Sequence, residues 1–262
     1  VFSGMFVRDT LADVSKVVIV AVSALSLVYG WPYLRERNLY PGEAPVLVMF
    51  ATAGMMMMVS AGSLVMVYLG LELLALCSYA LVALNRDDGL ATEAAMKYIV
   101  LGSLASGLLL YGMSLVYGAT GSIDLQAIAI AAGNEPSSML LAGVAFMVAG
   151  IAFKFGAAPF HMWLPDVYQG APTPITLFIG SAPKLAAFAM AIRLLQVGAG
   201  PLADHWRPML AVLAALSLVL GNLIALVQAS NTLPILLLGV FAGAIADNFD
   251  RRRVLLAAQT AM

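Results

Sequence analysis

The sequence predicts an all-α membrane protein, a polytopic helical bundle of about eight transmembrane helices. Two features of its composition indicate this class: 62% of the 262 residues are hydrophobic, and only 10% are charged. An average soluble domain is about 45–50% apolar and about 25% charged, so this chain lacks the polar residues that would cover a globular surface. Its apolar residues also form runs long enough for a bilayer span, which takes about 20 residues. A soluble enzyme and a disordered chain are therefore excluded.

Proline, glycine and charged residues bound the apolar runs and define the predicted spans. The spans are 12–30, 45–61, 63–84, 93–117, 138–162, 173–197, 208–228 and 231–246, with a short stub at 254–262. In the long loop 118–137, the apolar stretch 125–132 predicts a short surface helix. A backbone in lipid must satisfy its own hydrogen bonds, and no alternating pattern predicts a barrel, so we expect every span to be helical.

The first residues, the net charge and the cysteine count limit the kinds of segment and binding site that the chain contains. The first apolar run follows Asp9 and Asp13 instead of a basic region, so it is not a signal peptide, and the start at Val1 predicts a piece of a longer protein. The net charge of −1 offers no footprint for nucleic acid. The single cysteine, Cys77, excludes intrachain disulfides and cysteine-based metal or iron–sulfur sites. Basic residues in alternate loops balance, so the positive-inside rule leaves the orientation open.

Ionisable residues inside the predicted spans are the strongest functional signal. Glu72, Lys97, Lys154 and Lys184 lie within apolar runs, whereas the arginines, Arg193 among them, fall in loops or at span ends. A charge at the bilayer centre costs about 2.5–3.5 kcal/mol, so four would oppose insertion by about 10 kcal/mol. Residues that carry such a cost mark ion or proton pathways by default, and we interpret these four in that way.

Lysine, rather than arginine, at these depths predicts proton transfer. Arginine does not release its proton in proteins, whereas burial lowers the pKa of a lysine and a nearby carboxylate raises it again. Glu72 with three lysines on later helices therefore has the composition of a proton relay. The alternative is a structural ion pair between Glu72 and one lysine. Glu93 lies four residues before Lys97, so the two either stabilise a helix end or take part in the relay.

Prolines within the apolar runs predict interrupted helices. Pro159 predicts a broken helix, because proline removes a backbone donor and clashes with the preceding turn. Transporters place ion sites at such breaks, so we expect the freed carbonyls to stabilise Lys154. His161 would either carry protons or tie the broken segment to a neighbour by a hydrogen bond. Pro183 predicts a second kink, which would expose carbonyls beside Lys184.

Three stretches of the chain resemble a known family. They are YLGLELLALCSYALVAL, TEAAMKYIVLGSLASGLLLYGMSLVYGATGSIDL and FKFGAAPFHMWLPDVYQGAPTPITLFIGSAPKLAAFA. In this order they resemble the subunit N family of bacterial NADH-quinone oxidoreductase (respiratory complex I), over about residues 1–228. They are also similar to the membrane subunits of multisubunit cation/proton antiporters. The resemblance implies the first repeat of an antiporter-like fold, with one broken helix.

The resemblance also implies roles for residues and partners. The family's key glutamate falls on Glu72 and its key lysine on Lys154, with a second pair at Glu93 and Lys97 and a relay lysine at Lys184. The implied function is proton translocation coupled to quinone reduction elsewhere in the complex. NADH, FMN, iron–sulfur clusters and quinone would belong to partner subunits, so no cofactor or metal site is expected in this chain. The expected partners are other complex I membrane subunits and the lipid bilayer, in the bacterial inner membrane.

Residues 229–262 depart from that family. GAIAD followed by the arginines at 251–253 resembles the first cytoplasmic loop of major facilitator superfamily exporters. We therefore expect two domains, 1–228 and 229–262, joined near Gln228. The alternative functions are a stand-alone cation/proton antiporter, a major facilitator exporter and an inactive truncated or chimeric fragment.

Overall fold

The structure is a computed structural model that describes residues 4–39, 42–133 and 136–248, with side chains described as far as residue 226. Apart from isolated bridges, the regular elements of these ranges are helical, which confirms the predicted all-α bundle. Six helical segments in these ranges are long and apolar enough to cross a membrane. The helix Glu43–Val59 is shorter but also apolar.

Ten α-helices follow one another along the described residues. They are α1 (Thr10–Glu36), α2 (Glu43–Val59), α3 (Leu64–Val82), α4 (Gly89–Thr120), α5 (Leu125–Ala132), α6 (Ser138–Phe155), α7 (Trp163–Gly170), α8 (Thr173–Gly180), α9 (Ala182–Ala191) and α10 (Ala203–Asn248). A π-helical turn, Ile192–Gly198, follows α9, and a short 3₁₀ helix, Gly200–Leu202, precedes α10. The short helix predicted at 125–132 is α5.

Polar residues fix the starts of five of these helices. The side chains of Asp9, Ser63, Asp88, Asp124 and Ser137 each accept a hydrogen bond from a first-turn backbone N–H of α1, α3, α4, α5 and α6. Such an N-cap stabilises a helix by about 1 kcal/mol, because it satisfies a donor that has no partner within the helix. The caps therefore place the helix starts within a few residues of the predicted bounds.

The predicted broken helix is present and consists of α6 and α7. α6 ends at Phe155, because Gly156 adopts a left-handed conformation with a φ of 70° and its N–H closes the last turn. Pro159 lies in the interruption that follows, and the chain becomes helical again at Trp163. The first half of the broken helix is thus shorter than the predicted span 138–162.

The span predicted at 173–197 is interrupted as well. α8 ends at Gly180, Ser181 has a φ of −117° and a ψ of −85°, and α9 begins at Ala182 with Pro183 in its first turn. Proline is tolerated there because first-turn N–H groups have no partner within the helix. The second kink predicted at Pro183 is confirmed.

Pairs of glycines let neighbouring helices pack at backbone distance. A Cβ on Gly54 of α2 would lie 2.6 Å from the carbonyl oxygen of Gly70 of α3. A Cβ on Gly112 of α4 would lie 2.7 Å from the carbonyl oxygen of Gly143 of α6. Small residues stabilise helix pairs in lipid, because association there depends on close packing rather than on the hydrophobic effect. Both α3 and α6, which carry predicted site residues, are held in this way.

Arg193 is a buried structural cation in the π-helical turn. It is 3% exposed, and its guanidinium donates to both carboxylate oxygens of Asp9 at 2.7 Å. It also donates to the carbonyl oxygen of Val59, at the end of α2. The sequence places Arg193 near a span end but does not show this burial, because its partners lie far away along the chain. Arg193 joins the start of α1 and the end of α2 to the π-helical turn.

Replacing Asp9 by asparagine should destabilise the protein by about 3 kcal/mol, because the change leaves a buried guanidinium without its counter-ion. Asparagine caps a helix about as well as aspartate, so the α1 cap is retained. The measurement is the thermal midpoint of the detergent-solubilised protein. Asp13→Asn is the matched control, because Asp13 pairs with an exposed Arg8 and the change should cost less than about 1 kcal/mol. Equal shifts for the two variants would contradict the structural role of Arg193.

The same pair predicts sensitivity to acid. The Arg193 guanidinium holds the pKa of the Asp9 carboxyl below its ordinary value of 3.8. Because the native pKa is lowered, the stabilisation is complete above the ordinary value and is lost as the pH falls through the native one. Thermal midpoints measured from about pH 6 down to about pH 3 should therefore fall more steeply for the parent than for Asp9→Asn. Parallel curves would show that the pair does not contribute.

The prediction of a break between the spans 208–228 and 231–246 is wrong. Both lie within α10, because residues 229–230 supply no glycine, proline or charge that would interrupt a helix. The chain divides into two compact units, Val1–Ala214 and Ala215–Met262. The predicted site residues all lie in the first unit. The predicted stub 254–262 lies outside the described residues.

Candidate proton-transfer site

Glu72 lies half-buried on α3 beside α4. The Ser106 hydroxyl of α4 donates a hydrogen bond to Glu72 Oε1. In the part of the chain that the structure describes, no ion pair within 4.0 Å joins Glu72 to a lysine. The Ser106 hydroxyl rather than a cation binds the carboxylate, so the alternative of a structural ion pair is not observed.

Lys154 and Lys184 line one small cavity. Lys154 lies in the last turn of α6 and Lys184 in the first turn of α9, and both residues are half-buried. The cavity has a volume of about 20 Å³, and Ser78, Tyr98 and Trp163 also contribute to its lining. A polar cavity needs about 10–15 Å³ to hold one water molecule. A single water therefore fits beside both lysines.

Lys184 binds the end of the neighbouring broken helix. Its Nζ donates to the carbonyl oxygens of Lys154 at 3.0 Å and Phe155 at 2.9 Å, which end α6. Two predictions are therefore wrong. The carbonyls freed at the end of α6 bind Lys184 and not Lys154, and Lys184 does not bind carbonyls exposed by the kink at Pro183. Helical side chains tilt toward the N-terminus whereas the carbonyls point toward the C-terminus, so Lys154 turns away from the end carbonyls of its own helix. A lysine from another helix takes that place.

Aromatic rings fix the surroundings of Lys184. Its Nζ lies 5.1 Å from the centroid of the Trp163 ring. This ring stacks on Tyr98 of α4 and Phe153 of α6, with centroid distances of 4.8 Å and 5.4 Å. The Trp163 Nε1–H donates to the Phe153 carbonyl oxygen at 3.1 Å. Because a cation over an aromatic ring gains about 0.5–2 kcal/mol, the stack stabilises the charged form of Lys184 where it lies.

Two carboxylates hold Lys97 near the start of α4. Its Nζ lies 2.8 Å from Glu93 Oε1 and 3.0 Å from Asp166 Oδ1. The pairing with Glu93 agrees with their spacing on one helix, whereas Asp166 lies on α7, beyond the break. Sequence reasoning missed Asp166. The available signal was its position just after the interruption, because acidic side chains favour the first turn of a helix.

His161 lies in the interruption between α6 and α7. Its Nδ1 is buried and has no hydrogen-bond partner among the described residues. Neither His161 nor Lys97 is among the residues that line the cavity shared by Lys154 and Lys184. The structure therefore brings Lys154 and Lys184 together at one cavity, whereas Glu72 is not among the residues that line it, and the proton-carrying role of His161 stays a prediction.

Two family models match the chain. Residues 61–231 match the model described as NADH:quinone oxidoreductase/Mrp antiporter, transmembrane. Residues 209–262 match a second model, described as transmembrane secretion effector. The two matches overlap over residues 209–231, within α10.

Curated relatives are similar over most of this chain. NADH-quinone oxidoreductase subunit N of Xanthomonas euvesicatoria pv. vesicatoria (strain 85-10) is 73% identical over 232 residues, which is 88% of this chain and 47% of that protein. The subunit of the same name from Alkalilimnicola ehrlichii is 56% identical over 229 residues, 87% of this chain and 47% of that protein. The chain spans about half the length of the curated relatives that it matches.

Solved membrane complexes contain chains of similar fold. A chain of respiratory complex I from Thermus thermophilus with bound aureothin matches with a TM-score of 0.70 and 36% identity, over 85% of this chain and 47% of that chain. A chain of the Mrp complex from Dietzia sp. DQ12-45-1b matches with a TM-score of 0.61 and 25% identity, over 73% of this chain and 36% of that chain.

Proposed function

The chain belongs to the NADH:quinone oxidoreductase/Mrp antiporter family of membrane proteins, and from this premise we propose that it is part of a proton-translocating membrane subunit of bacterial NADH-quinone oxidoreductase. The names of its curated relatives support this proposal. The subunit crosses the inner membrane several times and packs against lipid and other membrane subunits of the complex. NADH, FMN, iron–sulfur clusters and quinone act in partner subunits, and this chain contributes proton transfer.

The observation that carries the proposal is the cavity that Lys154 and Lys184 share, with room for one water molecule. The Lys154 ammonium gives a proton to the water, and the water gives one to the neutral amine of Lys184. One N–H bond breaks and another forms, so the total charge of the pair does not change. Two ammonium groups that border one cavity repel each other, which favours a single shared proton.

Glu72 controls the direction of this transfer. Its carboxylate lies on α3, which contributes Leu71 and Leu74 to the lining of the cavity of Lys154, and it acts on this lysine through space. An ionised Glu72 stabilises the ammonium form of Lys154, and a protonated Glu72 removes that stabilisation. Ser106 holds the carboxylate in place through its hydroxyl. Protonation of Glu72 therefore promotes release of the Lys154 proton toward Lys184.

Lys97 supports the exchange from the start of α4. Glu93 and Asp166 bind it from two different helices, so protonation of either carboxylate weakens one of its two ion pairs. We propose that this cluster supplies protons to the buried residues, with His161 as a further carrier.

The two ends of the chain have different origins in this proposal. Residues 1–228 form the antiporter-like part, and residues 229–262 form a segment related to exporters. The two overlapping family matches support a junction in this region.

A stand-alone cation/proton antiporter is the second candidate function. The similarity to a chain of the Mrp complex favours it. It predicts a proton flux driven by a cation gradient in proteoliposomes that contain this chain and no quinone-reducing partner.

A chimeric enzyme tests the leading proposal. Residues 1–228 replace the corresponding half of Xanthomonas subunit N within the complete NADH-quinone oxidoreductase. Inverted membrane vesicles are given NADH, and proton uptake is measured against NADH oxidation. We expect the ratio of the parent enzyme to be retained, because the chain is 73% identical to that subunit over 232 residues. Assembly with NADH oxidation but without proton uptake would contradict the proposal, and cation-driven flux by the chain alone would favour the antiporter.

A further inference from the structure

The cavity that Lys154 and Lys184 share has two hydroxyl groups in its lining. Ser78 of α3 and Tyr98 of α4 both border it, and these residues are only 2% and 5% exposed. The other side chains that line it are apolar, apart from the two lysines and Trp163. The Trp163 N–H already donates to a backbone carbonyl. A water molecule in this cavity therefore meets the two lysine nitrogens and the two hydroxyls.

A count of donors and acceptors shows why the hydroxyls matter. A water molecule brings two donor hydrogens and two acceptor lone pairs, and a buried water makes about three hydrogen bonds. An ammonium group donates and cannot accept, so a charged lysine leaves the hydrogens of the water without a partner. When one of the two lysines is neutral, its amine accepts one hydrogen. The second hydrogen needs an oxygen, and the side chains that line the cavity offer the oxygens of Ser78 and Tyr98.

The Ser78 hydroxyl is fixed as an acceptor. It donates its own hydrogen to the carbonyl oxygen of Leu74, one turn earlier on α3, at 2.7 Å. A hydroxyl has one donor and two lone pairs, so the lone pairs of Ser78 remain for a hydrogen of the water. Once one hydrogen of the water is bound to Ser78, the direction of the other hydrogen is restricted as well.

The Tyr98 ring is held from two sides. It stacks on Trp163 with a centroid distance of 4.8 Å and an interplanar angle of 10°, and it meets Tyr79 edge-on at 4.8 Å. The hydroxyl is the one polar group of the Tyr98 side chain, and it can both donate and accept. It can donate to the water before transfer and accept from it as the water gains a proton. Fixed dipoles of this kind stabilise a charge that develops during a reaction.

We propose that Ser78 and Tyr98 are positioning residues for the water that carries a proton between Lys154 and Lys184. In this step an N–H bond of Lys154 breaks as an O–H bond of the water forms. Another O–H bond of the same water breaks as an N–H bond of Lys184 forms, and both hydroxyls keep their own protons. The proposal rests on the proposed function for the transfer itself, whereas the placement of the two residues depends only on the lining of the cavity.

Two substitutions with matched controls test this role in the chimeric enzyme. Tyr98→Phe removes the hydroxyl and keeps the stacked ring. Its control is Tyr79→Phe, because Tyr79 is 6% exposed and packs against Tyr98 but does not line the cavity. Ser78→Ala removes the other hydroxyl. Its control is Ser26→Ala, because Ser26 is 5% exposed, donates to a carbonyl one turn earlier on α1 and does not line the cavity.

We expect Tyr98→Phe and Ser78→Ala each to slow NADH-driven proton uptake by about threefold to tenfold, which corresponds to the loss of one neutral hydrogen bond. The double variant should be slower than either single variant. The ratio of uptake rates in ordinary and heavy water should rise, because proton transfer becomes the slow step. Both controls should keep the uptake rate of the parent, and each variant should have the thermal midpoint of its control, because each pair loses an equivalent buried hydroxyl.

Infrared spectra of the full chain in detergent give a second measurement that does not depend on proton pumping. The O–H band of an ordered water, identified by its shift in heavy-oxygen water, should be absent from the double variant and present in both controls. Retention of this band, or uptake at the parent rate, in the double variant would overturn the proposal. Slow uptake with an unchanged isotope effect would also overturn it and make the hydroxyls structural. Loss of the band together with an inactive unsubstituted chimera would support the positioning role and contradict the proposed function.

Discussion

Replacing Lys154 by methionine in the chimeric enzyme should slow NADH-driven proton uptake by about tenfold or more. Methionine is flexible and apolar, so it fills the space of the lysine stem and leaves no group that accepts a proton. Removal of a positioned proton-transfer group costs about 10²–10⁴-fold in its own step, which is sufficient to make this step limit the overall rate. The measurement is the initial rate of proton uptake by inverted vesicles, with NADH oxidation recorded in parallel.

Lys16→Met is the matched control for this variant. Lys16 lies near the start of α1 with its Nζ 4.6 Å from the centroid of the Phe6 ring, away from the cavity of Lys154 and Lys184. We expect its loss to leave proton uptake unchanged. Undiminished uptake with Lys154→Met would reject Lys154 as a carrier. Loss of uptake in both variants would show that lysine replacement acts through assembly of the complex instead.

Replacing Lys184 by methionine should both destabilise the protein and stop proton transfer. Its Nζ donates two hydrogen bonds to the carbonyls that end α6. Hydrogen bonds to a charged group contribute about 1.5–3 kcal/mol each, so the loss of both should cost about 3 kcal/mol or more. The thermal midpoint in detergent measures the first effect, and NADH-driven proton uptake measures the second.

Lys184→Arg separates the two effects. Arginine keeps the positive charge and several donors for the carbonyls, but it does not release its proton. We expect the thermal midpoint to return most of the way to that of the parent, while proton uptake stays about tenfold or more below it. Recovery of uptake with Lys184→Arg would show that Lys184 is an anchor for the broken helix and not a carrier.

The depth and identity of the central residues were predictable from sequence. Glu72, Lys154 and Lys184 stand out because a charge inside an apolar run is costly, whatever the fold around it. The break near Pro159 and the kink near Pro183 were predictable for a similar reason, since proline acts on its own helix. These signals are local, and they agree with the structure to within a few residues.

The partners of these residues were not predictable in the same way. The carbonyls that Lys184 binds belong to residues 154 and 155, and the second carboxylate of Lys97 belongs to Asp166. Each of these contacts depends on how two helices pack, and a hydropathy profile contains no such information. The sequence instead predicted that each freed carbonyl serves the lysine nearest in the chain.

Arg193 illustrates the same limit in a structural role. An arginine near a span end most often extends into water or headgroups. Here the π-helical turn directs it inward to Asp9, 184 positions earlier in the chain. The signals for the pair, an acidic N-cap and an arginine near a span end, are each common, and only the tertiary structure relates them.

The hydrogen bonds between Lys184 and the end of α6 connect the two interrupted helices, and their strength depends on the charge of Lys184. A hydrogen bond from an ammonium is about twice as strong as one from a neutral donor. In the proposed relay, loss of the Lys184 proton weakens these hydrogen bonds to the α6 terminus, and return of a proton restores them. Proton transfer through Lys184 would therefore also loosen and restore the contact between α9 and the end of α6.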